Sequence, residues 1–127
     1  MESKIQAAAS SLPELFSDIG RQVVGLYADP LLAGETLREK IALEASTLDE
    51  LLQRWVNRLI EFLRQEKLIF SDFRIQIDQQ TFTLKAEMMG GWVETFRDEA
   101  SPIGATCTQA SITPSSRGFE AVAHLSK

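Results

Sequence analysis

KIALEASTLDELL, Lys40 to Leu52, repeats KIQAAASSLPELF, Lys4 to Phe16, thirty-six positions later, with the same residue at seven of thirteen places. In each copy a short stretch able to extend as a strand leads into a hydroxyl residue followed by Leu, one variable residue and Glu. These are Ser11-Leu12-Pro13-Glu14 and Thr47-Leu48-Asp49-Glu50. The spacing is that of a capping box, in which the hydroxyl accepts a hydrogen bond from the third helical amide and the Glu side chain returns one. Pro13 suits a first helical turn, where a missing N–H loses no partner. The repeat therefore predicts two equivalent strand-to-helix corners.

From the first corner, Leu12, Leu15, Phe16, Ile19, Val23, Leu26 and Tyr27 recur at the spacing of one buried helical face, and Asp29-Pro30 ends the run. From the second, Leu48, Leu51, Leu52, Trp55, Val56, Leu59, Ile60 and Leu63 do the same. Asp49, Gln53, Arg54, Asn57, Arg58, Glu61 and Arg64 lie on the other side. Two such helices need an apolar layer to pack on.

The period then changes from helical to alternating. Phe73, Ile75 and Ile77 alternate with Arg74, Gln76 and Asp78, and after Asp78-Gln79-Gln80 the pattern resumes as Phe82, Leu84, Ala86 and Met88. This reads as a hairpin with one buried face. A second hairpin is expected from Ile103 to Ile112 and from Phe119 to Leu125, joined by residues 113–118. The segment from Gly90-Gly91-Trp92 to Pro102 reads as the loop between them. The fold class is then α+β, two amphipathic helices on a mainly antiparallel sheet in the order β-α-β-α-β-β-β-β. At 127 residues the expectation is a single domain, 1–127.

Thirteen basic against eighteen acidic residues give a net charge of −5, so no broad positive field draws a phosphate backbone and no direct nucleic-acid binding is expected. One cysteine allows no internal disulfide, no secretory leader is read, and no apolar run approaches the ~20 residues that span a bilayer. A cytoplasmic protein with no membrane partner is expected.

The residues carry no phosphate-cradling loop, paired-cysteine metal motif or His-Glu-x-x-His helix, and no catalytic residue is assigned. Cys107 with His124, the one histidine, would make a nucleophile and base only if the last two strands bring them together. A strand cysteine more often packs, and His124, out of phase with Phe119, Ala121, Ala123 and Leu125, is expected to face solvent. Hard divalent metals take oxygen ligands, which makes Glu2, Glu94, Asp98 and Glu99 the carboxylates to weigh, since Glu14 and Glu50 have capping roles. Trp55 belongs to the core. Trp92, after two glycines, either closes the sheet edge or anchors a partner, with Phe96 beside it.

Several strings together resemble the archease family of accessory factors for the tRNA-splicing type RNA ligase: SSLPELF, STLDELLQRWVNRLIEFL, LIFSDFRIQI, GATCTQASI and GFEAVAHL. The resemblance covers almost the whole chain. It implies an α+β fold, no enzymatic activity of its own, an RNA ligase as protein partner, promotion of that ligase's guanylylation and turnover, and a divalent cation, calcium or manganese, held chiefly by aspartates. Glu2 falls where the last Asp of the family's Asp-His-Thr-Ala-Asp string is expected, and Glu94 and Asp98 lie near an acidic position of the later loop. Ser126 stands where the family has its C-terminal Asp. The Lys-Ala-x-Thr-x-His string is represented by Gly104-Ala105-Thr106-Cys107-Thr108-Gln109, in which Ala105 alone matches. The resemblance thus implies an archease-like scaffold with a degenerate metal site, the alternative being a protein-interaction module on the same scaffold with no ligase role.

Overall fold

The computed structural model describes residues 2–29, 31, 33–96 and 104–126. The order is β1 (Glu2–Ala9), α1 (Leu12–Tyr27), β2 (Leu37–Glu44), α2 (Leu48–Glu61), a π-helical turn (Phe62–Glu66), β3 (Leu68–Asp78), β4 (Thr83–Trp92), β5 (Thr106–Ser115) and β6 (Gly118–Ser126). The α+β expectation and its element order hold. Each repeat copy is one strand, one corner and the start of one helix.

Both corners are capped by their hydroxyl. Ser11 Oγ accepts from the Glu14 N–H at 3.3 Å and Thr47 Oγ1 from the Glu50 N–H at 3.1 Å. The two carboxylates do not return a bond as the motif predicts. Glu14 accepts from the Ser10 hydroxyl at 3.1 Å, and Glu50 pairs with Arg54 one turn on at 2.8 Å, because a cation within reach outcompetes a neutral amide. Leu26, expected on the buried face, is exposed in the last turn of α1, whereas Leu15 on the same flank is fully buried.

The strands form two three-stranded antiparallel sheets, β1-β6-β5 and β2-β4-β3. Each consists of one repeat strand laid against the second strand of a hairpin, so the sequence repeat is matched by a repeat of topology. Both helices touch both sheets: α1 packs on β1 and β3, α2 on β5 and β2, and the helices pack on each other. Between them lie Phe16, Trp55, Leu51, Leu52, Leu59 and Phe70, all fully buried. Each large apolar side chain so buried contributes about 1.5–3 kcal/mol. Trp55 meets Phe73 edge-on at 5.6 Å and donates its indole N–H to the Phe16 carbonyl at 2.9 Å, which ties α2 to α1. Gly20 permits this approach, since a Cβ there would lie 3.2–3.3 Å from Phe73, Leu59 and Trp55.

Three boundaries differ from the sequence reading. Gly90, Gly91 and Trp92 belong to β4 rather than to a loop. A Cβ on Gly90 would lie 1.9 Å from the Ile69 carbonyl oxygen, so the glycines are there for close strand approach at the bulge between Phe70 and Asp72. Phe82 is not the first residue of β4 but sits in the turn at φ 53°. β5 runs through Pro114 to Ser115, leaving Ser116-Arg117 as the turn before Gly118 at φ 139°. Proline is tolerated there because β5 is an edge strand and Pro114 need not donate outward.

Candidate functional site

The pairing of β1, β6 and β5 sets Glu2 opposite Ser126 and Ser126 opposite Thr106, one row across the end of the sheet. Side chains alternate along each strand, and Ile5, Leu125 and Cys107 point into the core. Glu2, Ser126 and Thr106 therefore share the outer face. The next outer row is Lys4, His124 and Gln109.

α2 closes the free edge of this sheet. Asn57 Oδ1 accepts from the Cys107 N–H at 2.7 Å and from the Thr106 hydroxyl at 3.2 Å, while Asn57 Nδ2 donates to the Cys107 carbonyl at 3.3 Å. Gln53 donates to that same carbonyl at 3.0 Å, Asp49 accepts from the Ile112 N–H at 2.8 Å, and Arg64 donates to the Ala105 carbonyl at 3.4 Å. Asp49, Gln53 and Asn57 lie one helical turn apart and together satisfy three outward backbone groups of an edge strand, the Cys107 N–H and carbonyl and the Ile112 N–H. Beside them is a cleft of about 290 Å³ lined by Asn57, Glu61, Arg64, Ala105 and Thr106. Sequence reasoning placed this stripe simply opposite the apolar face. Its signal was the four-residue spacing of three short hydrogen-bonding side chains.

Cys107 and His124 do not form a nucleophile and base. The thiol faces the core and donates to the Gln109 carbonyl at 3.5 Å, whereas His124, half-buried rather than exposed, occupies the outer face. Burial pushes the Cys107 thiol above its ordinary range, against weaker lowering by backbone hydrogen bonds at Gln109 and His124. A thiol so held is a poor nucleophile at neutral pH.

Of the metal-site carboxylates, Glu2 is exposed in the first row of β1 and Glu94 is exposed beyond the end of β4. Asp98 and Glu99 lie outside the described residues. Among the described residues no three His, Cys, Asp or Glu side chains come together as a cation cage. The Glu2 row offers one carboxylate and two hydroxyls, one of them already donating to Asn57. Calcium takes about six to eight oxygen ligands, so this donor set does not fit it without further carboxylates.

Trp92 ends β4 with 62% of its surface exposed. Gly91 beside it is flush with the Ala33 backbone, in the connection that also carries Leu31, 88% exposed. Phe96 instead packs, half-buried, against the core. The exposed apolar side chain at the end of β4 is thus Trp92 alone, without Phe96 beside it on the surface. No helix among the described residues is long and apolar enough to cross a membrane.

Comparison with known proteins gives a consistent picture. The model of the Archease protein family matches residues 3–125. The protein archease of Sulfurisphaera tokodaii is 26% identical over 86 residues, and that of Sulfolobus acidocaldarius 29% identical over 86 residues. Each match covers 68% of this chain and 62% of the relative, so the chain aligns with less than two thirds of either relative's length. The solution structure of protein 1598 of Methanobacterium thermoautotrophicum superposes with a TM-score of 0.70 at 17% identity, over 99% of this chain and 91% of that one, which is a likeness of fold.

Proposed function

The chain belongs to the archease family, and from that membership we propose that it is an accessory protein of a tRNA-splicing type RNA ligase, promoting the ligase's guanylylation and turnover. On this reading residues 1–127 act as one cytoplasmic domain with no catalytic activity of its own and no direct hold on nucleic acid. The observation that carries the proposal is the family match through both repeat copies and both hairpins.

Glu2 and Ser126, opposite each other at the end of the sheet, stand where the family resemblance puts aspartates, and of the two only Glu2 is a carboxylate. On this reading the action runs through protein contact and the metal site is degenerate. A ligase-turnover assay with and without this protein, each with and without calcium or manganese, tests both statements. Stimulation independent of added metal is expected; no association with the ligase and no change in guanylylation or turnover would remove the reading. Stoichiometric metal binding that disappears in Glu2→Ala would instead restore a working site.

A second reading, an interaction module without a ligase role, is favoured by exposed Trp92 at the corner where β4 ends. If Trp92→Ala leaves every partner captured by the wild-type protein still bound, that corner is not the contact.

A further inference from the structure

The second repeat copy carries a symmetry of its own. Its strand, β2, is an edge of the β2-β4-β3 sheet. Ala45, just past its end, donates its N–H inward to the Phe82 carbonyl at 3.0 Å, whereas the Glu44 carbonyl accepts from the Arg54 side chain at 3.0 Å. Both backbone groups of a strand residue point the same way and successive residues alternate, so Arg38, Lys40, Ala42 and Glu44 turn theirs to the open edge. Arg54 on Glu44 is the one side chain bonded to that edge among the described residues.

Set antiparallel to itself about Ala42, the run Lys40-Ile41-Ala42-Leu43-Glu44 is complementary: Lys40 falls opposite Glu44, Ile41 opposite Leu43 and Ala42 opposite Ala42. The pairs also agree in face. Lys40, Ala42 and Glu44 are exposed on the outer side, while Ile41 and Leu43 are half-buried on the core side, where a further strand would extend the apolar layer. Other centres fail. About Lys40 or Glu44 a charge meets itself, about Ile41 the Leu43 side chain meets Glu39, and about Leu43 both Lys40 and Glu44 lose an opposite charge. The first repeat copy has no such match on β1, where Lys4 would face Ala8. On β3 the run from Arg74 to Asp78 has comparable spacing, but the Asp78 carboxylate is held in its own turn by the Gln80 and Thr81 N–H groups.

We propose that β2 is the contact between two copies of this chain, paired antiparallel about Ala42 so that two three-stranded sheets become one of six strands. Ala42 exchanges both backbone bonds with Ala42 of the second copy. Lys40 does the same with Glu44 of the second copy, and their side chains meet as an ion pair on the outer face. The Glu44 carbonyl has two lone pairs, so it keeps Arg54 while accepting the new N–H. Each contact occurs twice by symmetry, and the interface closes on itself rather than growing into a fibre. Lys40 and Glu44 thereby guard the edge against foreign strands and admit a second copy. The contact stands whether or not the chain serves a ligase.

Sedimentation of the whole protein over a concentration series is expected to show a reversible dimer, twice 14.2 kDa. Glu44→Lys sets like charges opposite each other twice and is expected to weaken the dimer about tenfold. Adding Lys40→Glu reverses both signs and is expected to restore it. Three results would overturn the proposal: wild-type protein that stays monomeric up to about 1 mM, a dimer indifferent to Glu44→Lys, or a folded double variant that stays monomeric. Lys40 also faces Glu87 across the sheet, so should the double variant not fold, Ala42→Cys gives an independent reading. The Cα atoms of a hydrogen-bonded antiparallel pair lie about 5.5 Å apart, within disulfide range. Oxidation should therefore join two chains of this variant through residue 42, with Cys107 left buried, and a product that remains single chains overturns the pairing.

Discussion

Asn57 grips both backbone groups of Cys107 at once, accepting its N–H at 2.7 Å and donating to its carbonyl at 3.3 Å, as a neighbouring strand would. The side chain of a helix thus stands in for a seventh strand. Asn57→Ala leaves the Cys107 N–H without a partner, and a buried unsatisfied group costs about 1–3 kcal/mol. Urea unfolding should show that loss, with Gln53→Ala costing less because Asn57 still donates to the shared carbonyl.

Trp55→Phe keeps a ring in the core but removes the N–H that reaches Phe16. A fall in stability of about 1–3 kcal/mol is expected from the lost bond and the volume left behind. Trp55→Ala, which also removes the contact with Phe73, should cost about 3–5 kcal/mol and be read from the shift in denaturation midpoint.

Gly90→Ala places a methyl carbon 1.9 Å from the Ile69 carbonyl oxygen, a backbone atom that cannot rotate aside. The strand pair has to separate there, so little folded protein should be recovered. Gly25→Ala, with nothing within 4 Å of the added carbon and a helical position, should be neutral or slightly stabilising by thermal melting.

The raised Cys107 thiol sets a sign for alkaline pH. The folded state holds this proton more tightly than the unfolded chain, so its contribution is intact below the unfolded thiol pKa and is lost as pH rises through the folded value. Melting temperature should therefore fall as pH climbs above the ordinary thiol range, and Cys107→Ala should flatten that fall. Alkylation of the native protein at neutral pH should be slow, and fast in denaturant.

Ser126→Asp puts a second carboxylate across from Glu2. Without metal, the directly opposed like charges should cost about 0.2–1 kcal/mol. Calcium should then raise the melting temperature of the variant more than that of the wild-type protein, as measured by paired thermal scans.

The elements that depend on local pattern were legible in the sequence. The capping hydroxyls, the apolar faces of α1 and α2, and the alternation around Phe73 and Leu84 each follow from spacing within a dozen residues. What stayed hidden depends on pairing at a distance. Gly90-Gly91 look like a loop until the Ile69 and Ala33 carbonyls that crowd them are known. Pro114 reads as a strand breaker until β5 is known to lie at an edge. Likewise the polar stripe at Asp49, Gln53 and Asn57 looks like solvent-facing helix, and only its position along β5 turns it into a covering device. Of the candidate site, Glu2 and Ser126 were legible one at a time through family likeness. Their direct opposition was not, because register between the first and last strands leaves no trace in local composition.

That opposition also bears on how the chain is assembled. β2, β3 and β4 are all present once residue 92 has been made, and their sheet can close as synthesis continues. β1 must wait for β6, whose partner residues begin at Gly118, before its inner edge is paired. A ribosome adding about 5–20 residues per second keeps β1 unpaired for several seconds in the meantime. Through that interval α1, which forms directly after it, packs against it and guards it.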